Sequence, residues 1–394
     1  MIKNVRVYPV FNSKGRDTLK VKLYTDSGVY SASVPSGTSK GKYEAVELPV
    51  EKILQFFSGI RPHLIKRDEK QLDVIDALLR KLDSTGNFSR IGENLALAIS
   101  VACARAATGN ELWKLAGERL SVRFPIPLGN VIGGGRHAGG TDWQEFLLIP
   151  YKAENPHAAT QTLLDAWSHI GDELRRRKLL LGRNIENAWM AKMSEEKTLE
   201  FLSAIAEDWD LKIGIDVAAS SLWDGKAYVY ERRKRKLIPE KQKEFVLDVA
   251  ERFRIYYLED PLHEEDFSGF SELTKKLRTK TLVVGDDLFC TNPKRIRIGA
   301  RKSSANGIII KPNQIGTLTE TTDAVSLARK SGMAIIPSHR SGESFDDWLA
   351  DLCLAWDSPL FKSGITGADA PKLNRLIELW EEIPGAEMAE LPLR

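Results

Sequence analysis

A chain of 394 residues with a 42% hydrophobic share has room for two domains and a large core. Its 57 basic residues nearly match 54 acidic ones, for a net charge of +3, so nothing points to a nucleic-acid or membrane surface. Three widely spaced cysteines, Cys103, Cys290 and Cys353, argue against a disulfide framework or a zinc cluster and suit a reducing compartment. Met1 to Arg6 alternates polar and apolar residues and lacks the apolar core of a signal peptide. No run approaches the roughly 20 apolar residues of a bilayer span, so a soluble, intracellular protein is expected.

Lys20 to Thr25 and Val29 to Val34 read as strands, with Asp26-Ser27-Gly28 as the hairpin turn between them. A polar, glycine-rich loop follows from Pro35 to Gly41. Asp68 to Leu82 and Glu93 to Ala107 place apolar residues three and four apart, which predicts two helices, the second rich in alanine. Strands followed by helices suggest a small α+β domain. The composition changes at Phe124-Pro125-Ile126-Pro127, which puts the first domain at residues 1–124 and the second at 125–394.

The second domain repeats strand, loop and helix. Lys212 to Ile215 ends in Asp216, Ile255 to Leu258 in Glu259, and Gly307 to Ile310 in Lys311. Thr281 to Val284 leads through Gly285 to Asp286 and Asp287, and Met333 to Ile336 leads to Ser338-His339-Arg340. Short apolar runs alternating with helices imply parallel strands covered on both faces, and so many of them favour a closed α/β barrel over an open sheet.

In such a barrel the strand ends share one rim. Asp216, Glu259 and Asp286 would meet there, and three mutually repelling carboxylates require a cation. An all-oxygen donor set without histidine or cysteine favours Mg²⁺ over zinc. Lys311, ending an apolar strand beside such a cation, is expected to have its ammonium form disfavoured and to act as a general base; the alternative is a lysine paired with one of the acids. His339, Arg340, Ser341 and Lys362 add positive charge and donors suited to an anion such as phosphate.

With these residues in place the chain resembles the enolase family along nearly its whole length. The resemblance rests on Val34-Pro35-Ser36-Gly37-Thr38-Ser39, His137-Ala138-Gly139, Gln144-Glu145-Phe146, Asp216-Val217-Ala218-Ala219-Ser220, Glu259-Asp260-Pro261 and Gly285-Asp286-Asp287-Leu288. It continues through Lys311-Pro312-Asn313-Gln314-Ile315-Gly316-Thr317 and Ser338-His339-Arg340-Ser341-Gly342-Glu343. It implies an enolase-type α/β barrel preceded by a smaller α+β capping domain, and the reversible dehydration of 2-phosphoglycerate to phosphoenolpyruvate. It also implies two Mg²⁺ per site, the first on Asp216, Glu259 and Asp286, the second reached by Ser39 once substrate is bound. Lys311 would take the C2 proton. Arg340 and Ser341 would hold the phosphate, Lys362 the carboxylate or hydroxyl end, and His137, Gln144 and Glu145 would line the pocket near the departing hydroxyl. A homo-oligomer, dimer or dimer-based octamer, and a cytoplasmic location follow from the same likeness.

The chain departs from the family in two stretches. The family's acid is a glutamate in a loop G-D-E-G-G-F-A-P; here the segment is Asn184 to Ala191, and counting back from Ser194-Glu195-Glu196 puts Glu186 on the acid position. Gly367-Ala368-Asp369-Ala370 replaces an R-S-E-R stretch that usually contributes to the dimer contact. Two alternatives therefore stand beside the first reading: a lyase of the same fold acting on another phosphorylated or acidic hydroxy-acid, and a non-catalytic binding relative. The basic run Arg232 to Lys236 reads as a solvated hairpin or loop.

Overall fold

The computed structural model describes residues 1–37, 41–117, 121–135 and 139–393. The chain opens with three antiparallel strands, β1 (Ile2–Phe11), β2 (Asp17–Thr25) and β3 (Val29–Ser33). Asp26-Ser27-Gly28 makes the predicted turn, Thr25 N–H donating to Gly28 O at 2.9 Å. Helices α1 (Val50–Leu64), α2 (Leu72–Asp83) and α3 (Glu93–Thr108) follow. The alanine-rich α3 is buried along nearly its whole length, because small side chains let it lie close against β2 and β3.

The barrel begins after β4 (Val122–Phe124) with β5 (Ile126–Gly133) and β6 (Glu145–Ile149). Two helices, α4 (Pro156–Arg176) and α5 (Glu195–Asp208), flank the small hairpin β7 (Leu180–Arg183) and β8 (Trp189–Ala191). Then come β9 (Lys212–Asp216), the hairpin β10 (Tyr228–Tyr230) and β11 (Arg235–Leu237), and α6 (Pro239–Arg252). Arg232 to Lys236 runs through the turn and second strand of that hairpin, as the sequence suggests, with Arg233 paired to Glu195 at 2.8 Å. Regular strand–helix pairs complete the ring: β12 (Tyr257–Glu259) with α7 (Phe267–Leu277), β13 (Leu282–Gly285) with α8 (Pro293–Lys302), and β14 (Gly307–Ile310) with α9 (Leu318–Lys330). The last are β15 (Ala334–Pro337) with α10 (Trp348–Ala355) and β16 (Leu360–Ser363) with α11 (Ala370–Glu382), before β17 (Ala386–Met388) pairs with β4.

Eight strands close in the order β5, β6, β9, β12, β13, β14, β15, β16; β16 pairs back onto β5, and a bridge from Ser338 to Lys362 joins β15 to β16. The five runs singled out in the sequence are parallel, but β6 runs antiparallel to both β5 and β9. This reversal positions the site, since it brings the first residue of β6, Glu145, level with the last residue of β9, Asp216.

Strand alternation does the rest. Ile213, Ile215, Leu258, Val283, Ile308, Ile310, Ile335 and Phe361 belong to the large core shared with the helices, while Tyr257, Leu282, Val284, Ile309, Ile336 and Leu360 form a separate core inside the barrel. Continuing the inward set by two residues reaches Asp216, Glu259, Asp286, Lys311 and Lys362. Below, Leu391 and Leu393 pack on the inner core, and Leu393 N–H donates to Tyr256 Oη at 3.0 Å. The barrel is therefore apolar at its floor and charged at one rim.

Candidate active site

The rim surrounds a cavity of about 320 Å³ lined by Gln144, Glu145, Glu186, Asp216, Asp286, Lys311, His339, Arg340, Ser341 and Lys362, among others. Glu259 lies beneath it, fully buried. Lys362 is the hub of the acidic side. Its Nζ is 2.9 Å from Glu145 Oε2, 3.0 Å from Asp216 Oδ2 and 2.6 Å from Glu259 Oε2. Asp216 Oδ2 also accepts from Gln144 Nε2 at 3.2 Å, and Glu259 Oε2 from the Tyr257 hydroxyl at 2.5 Å. Burial and then the neighbouring Asp216 push the Glu259 carboxyl up to about 8, with Asp286 acting in the same sense. Lys362, expected to face the substrate's carboxylate or hydroxyl end, here neutralises these acids.

Asp286 holds Lys311 by an ion pair and accepts Gln314 Nε2 at 2.9 Å. The expected weaker hold on its proton concerned a Lys311 standing beside a bound cation; here it faces the Asp286 carboxylate instead. Burial does disfavour the ammonium, but the Asp286 carboxylate outweighs it and Lys311 sits above its ordinary value. Asp260, which the sequence reading passed over except as part of Glu259-Asp260-Pro261, accepts the backbone N–H groups of Asp286 at 3.1 Å and Asp287 at 2.7 Å. It thereby fixes the start of the loop that carries both.

On the positive side, Arg340 donates to Asn313 Oδ1 at 2.9 Å and to Glu44 Oε2 at 3.1 Å. Ser341 Oγ accepts from Lys14 Nζ at 3.1 Å. His339 Nδ1 stands 2.9 Å from Asp369 Oδ2, and Lys372 links Asp369 to Glu343. Glu186 reaches the same cavity from the turn between β7 and β8; its Oε2 accepts Asn130 Nδ2 at 3.1 Å. Glu145, Glu186 and His339 bring ligand atoms within 4.8 Å of one another, as do Asp260, Asp286 and Asp287. Ser39 and His137 lie outside the described residues. Glu44 and Asn130 carry no motif in the sequence, and Asn313 and Asp369 stand out there only as parts of longer stretches; they act through partners as far as 296 positions away.

The donor set fits a hard divalent cation. Asp216, Glu259 and Asp286 offer carboxylate oxygens, Glu259 Oε1 is buried without a hydrogen-bond partner, and Asp216 and Asp286 raise the proton affinity of Glu259.

A capped barrel whose charged rim gathers acids, lysines and an arginine around one small cavity has the layout of an α/β-barrel enzyme. The family models give the particular member. The enolase N-terminal domain model matches residues 2–116, and the enolase C-terminal TIM barrel domain model matches residues 121–389. The chain belongs to the enolase family. It is 40% identical to the enolase of Archaeoglobus fulgidus over 392 residues, covering 97% of each chain. It is 38% identical to the enolase of Methanothermobacter thermautotrophicus, over 100% of this chain and 99% of the relative, and 37% identical to that of Picrophilus torridus, over 97% and 99%. Among the described residues no helix is long and apolar enough to cross a membrane.

Proposed function

We propose that this chain is a phosphopyruvate hydratase, reversibly dehydrating 2-phosphoglycerate to phosphoenolpyruvate in glycolysis and gluconeogenesis, in the cytoplasm. The observation that carries the reading is that Lys311 and Glu186, brought from β14 and from the turn beside β5, line one cavity together with Arg340 and Ser341. Removing a proton beside an ionised carboxylate concentrates negative charge on the substrate, so a base, an acid and a cation must surround one small molecule. Lys311 takes the C2 proton. Glu186 delivers a proton to the departing hydroxyl, with Glu145, Gln144 and His137 around it. Arg340 and Ser341 hold the phosphate, His339 adds a positive donor, and Lys362 turns from its acids toward the carboxylate or hydroxyl end.

Asp216, Glu259 and Asp286 would hold one Mg²⁺, and Ser39 would reach a second that arrives with substrate. When bound, the metal stabilises negative charge developing on the substrate carboxylate. We place the boundary between cap and barrel at residues 124 and 125, a few residues beyond the break between the two family matches, which end at 116 and begin at 121; a homo-oligomer, dimer or dimer-based octamer, rests on the family likeness alone. Neither a different hydroxy-acid substrate nor a purely binding role is favoured by full-length likeness to enolases. The test is phosphoenolpyruvate formation from 2-phosphoglycerate with and without Mg²⁺, in the parent and in Lys311→Ala. Metal-dependent turnover that falls on the order of 10²–10⁴-fold in the variant is expected. Undiminished turnover in Lys311→Ala overturns the assignment of the base.

A further inference from the structure

The segment carrying Glu186 contains no glycine between Asn184 and Ala188, yet it makes a tight turn. The Asn184 side chain builds it. Asn184 Oδ1 accepts the backbone N–H of Glu186 at 3.0 Å and that of Ala188 at 2.9 Å. Asn184 N–H reaches Ala188 O at 2.9 Å, and Asn187 N–H reaches Asn184 O at 3.1 Å. Asn187 takes the left-handed conformation, φ 63°, which asparagine tolerates better than most side chains. Asn184 is itself buried and lies on Gly133 at the end of β5, where an added Cβ would collide with Asn184 Nδ2.

The turn is also anchored from outside. Trp167 Nε1 donates to Asn187 O at 3.0 Å, Trp189 Nε1 donates to Trp167 O at 2.7 Å, and the two indoles stack with centroids 4.7 Å apart. The result is a fixed platform, with the Glu186 side chain 7% exposed and directed toward Asn130, Glu145 and His339. The two bonds to Asn184 Oδ1 set the backbone of Glu186 and of the residue two beyond it, and so the direction in which the carboxyl leaves the turn.

We propose that Asn184 is a positioning residue for protonation of the departing hydroxyl, its side-chain amide holding the turn that aims Glu186 into the cavity. The proposal rests on the reading of Glu186 as the acid, and the two can be separated. In the full chain with saturating Mg²⁺, two rates are measured: net dehydration of 2-phosphoglycerate, and exchange of its C2 proton with D₂O by NMR. Glu186→Gln should lose dehydration and keep exchange; dehydration at the parent rate in that variant removes Glu186 as the acid.

Where Glu186→Gln behaves as expected, Asn184→Ala should lower kcat for dehydration on the order of 10²-fold, the effect of moving a reacting group by about an ångström. KM and C2 exchange should be unchanged. Asn184→Asp keeps an acceptor at the same place and should restore most of the rate. Parent kcat in Asn184→Ala overturns the proposal while leaving the acid assigned. So does a parallel loss of exchange and dehydration, or a folded Asn184→Asp that restores nothing.

Discussion

The contact between His339 and Asp369 ties stability to pH, and one substitution should break the tie. His339 Nδ1 and Asp369 Oδ2 are 2.9 Å apart in a buried setting; the Gly364 N–H points at the same nitrogen from 3.2 Å, but the shorter, charged contact decides where the proton sits. Burial alone would lower the imidazole. Asp369, followed by Glu186 and Glu145, more than reverses this and pushes His339 up to about 9 from 6.5. Lys372 faces the pair from α11, 3.4 Å from Asp369 and 3.0 Å from Glu343. A histidine raised in the folded state contributes stability that is fully present below its unfolded value and is lost as pH rises through its folded value. Between about pH 6.5 and 9 that loss amounts to about 3 kcal/mol. Asp369→Asn keeps the shape and removes the charge, so burial then dominates and the dependence should flatten. Urea denaturation from pH 6 to pH 9.5, with Mg²⁺ present throughout, reads the effect as a difference between two proteins, so titrations common to both cancel. Equal slopes in parent and variant, or a His339 ring signal titrating near its ordinary value in the parent, would refute the reasoning.

Three further outcomes are expected from the same structure. Burial raises the Asp76 carboxyl to about 6 from 3.8, so it should withdraw stability as pH rises across that window, by about 3 kcal/mol; Asp76→Asn should abolish that slope in acid-side denaturation curves. Gly171 on α4 lies against the Trp189 indole so closely that a Cβ would collide with it; Gly171→Ala should cost about 1–3 kcal/mol and alter tryptophan fluorescence. Unchanged stability there would mean that Trp189 is free to move. Mg²⁺ at 100 times its dissociation constant should stabilise the fold by about 2.7 kcal/mol in thermal or chemical denaturation, and Glu259→Gln should remove most of that gain.

The barrel was legible because each of five apolar runs breaks off in a charged or hydrogen-bonding residue or leads directly to one, and strand period 2 then dictates the face on which Asp216, Glu259 and Lys311 emerge. Helices α2 and α3 were legible from their apolar spacing and begin and end within a few residues of expectation. Helix α1 was not, although its buried residues keep helical spacing; a proline precedes it and another lies within its last turn. The reversed β6 has no local signature, since direction is a property of pairing, so Glu145 could be placed at the rim by likeness and not by pattern. The state of Lys311 is out of reach of pattern for a similar reason. A sequence shows that a lysine ends a strand next to others ending in acids, but the sign of its shift depends on whether Asp286 faces it or a metal.

Carboxylates outnumber cations around the cavity. Its lining includes the carboxylates Glu44, Glu145, Glu186, Asp216, Asp260, Glu264, Asp286 and Asp287, against Lys42, Lys311, Lys362, Arg340 and the raised His339. Lys362 is shared among three acids, Lys311 pairs with Asp286, and Arg340 is held by Glu44. Asp287 is pushed up to about 7 by burial and by Asp286, and Asp260 is raised by burial and Asp287. A set of acids this crowded is not a stabilising arrangement, because desolvating each carboxylate costs more than a shared ammonium returns. Packing alone would favour apolar side chains at these positions, as it does one layer below, where Tyr257, Val284 and Ile309 fill the barrel. The excess of carboxylate at the rim suits a hard divalent cation, and the apolar layer beneath it holds the acids in one place.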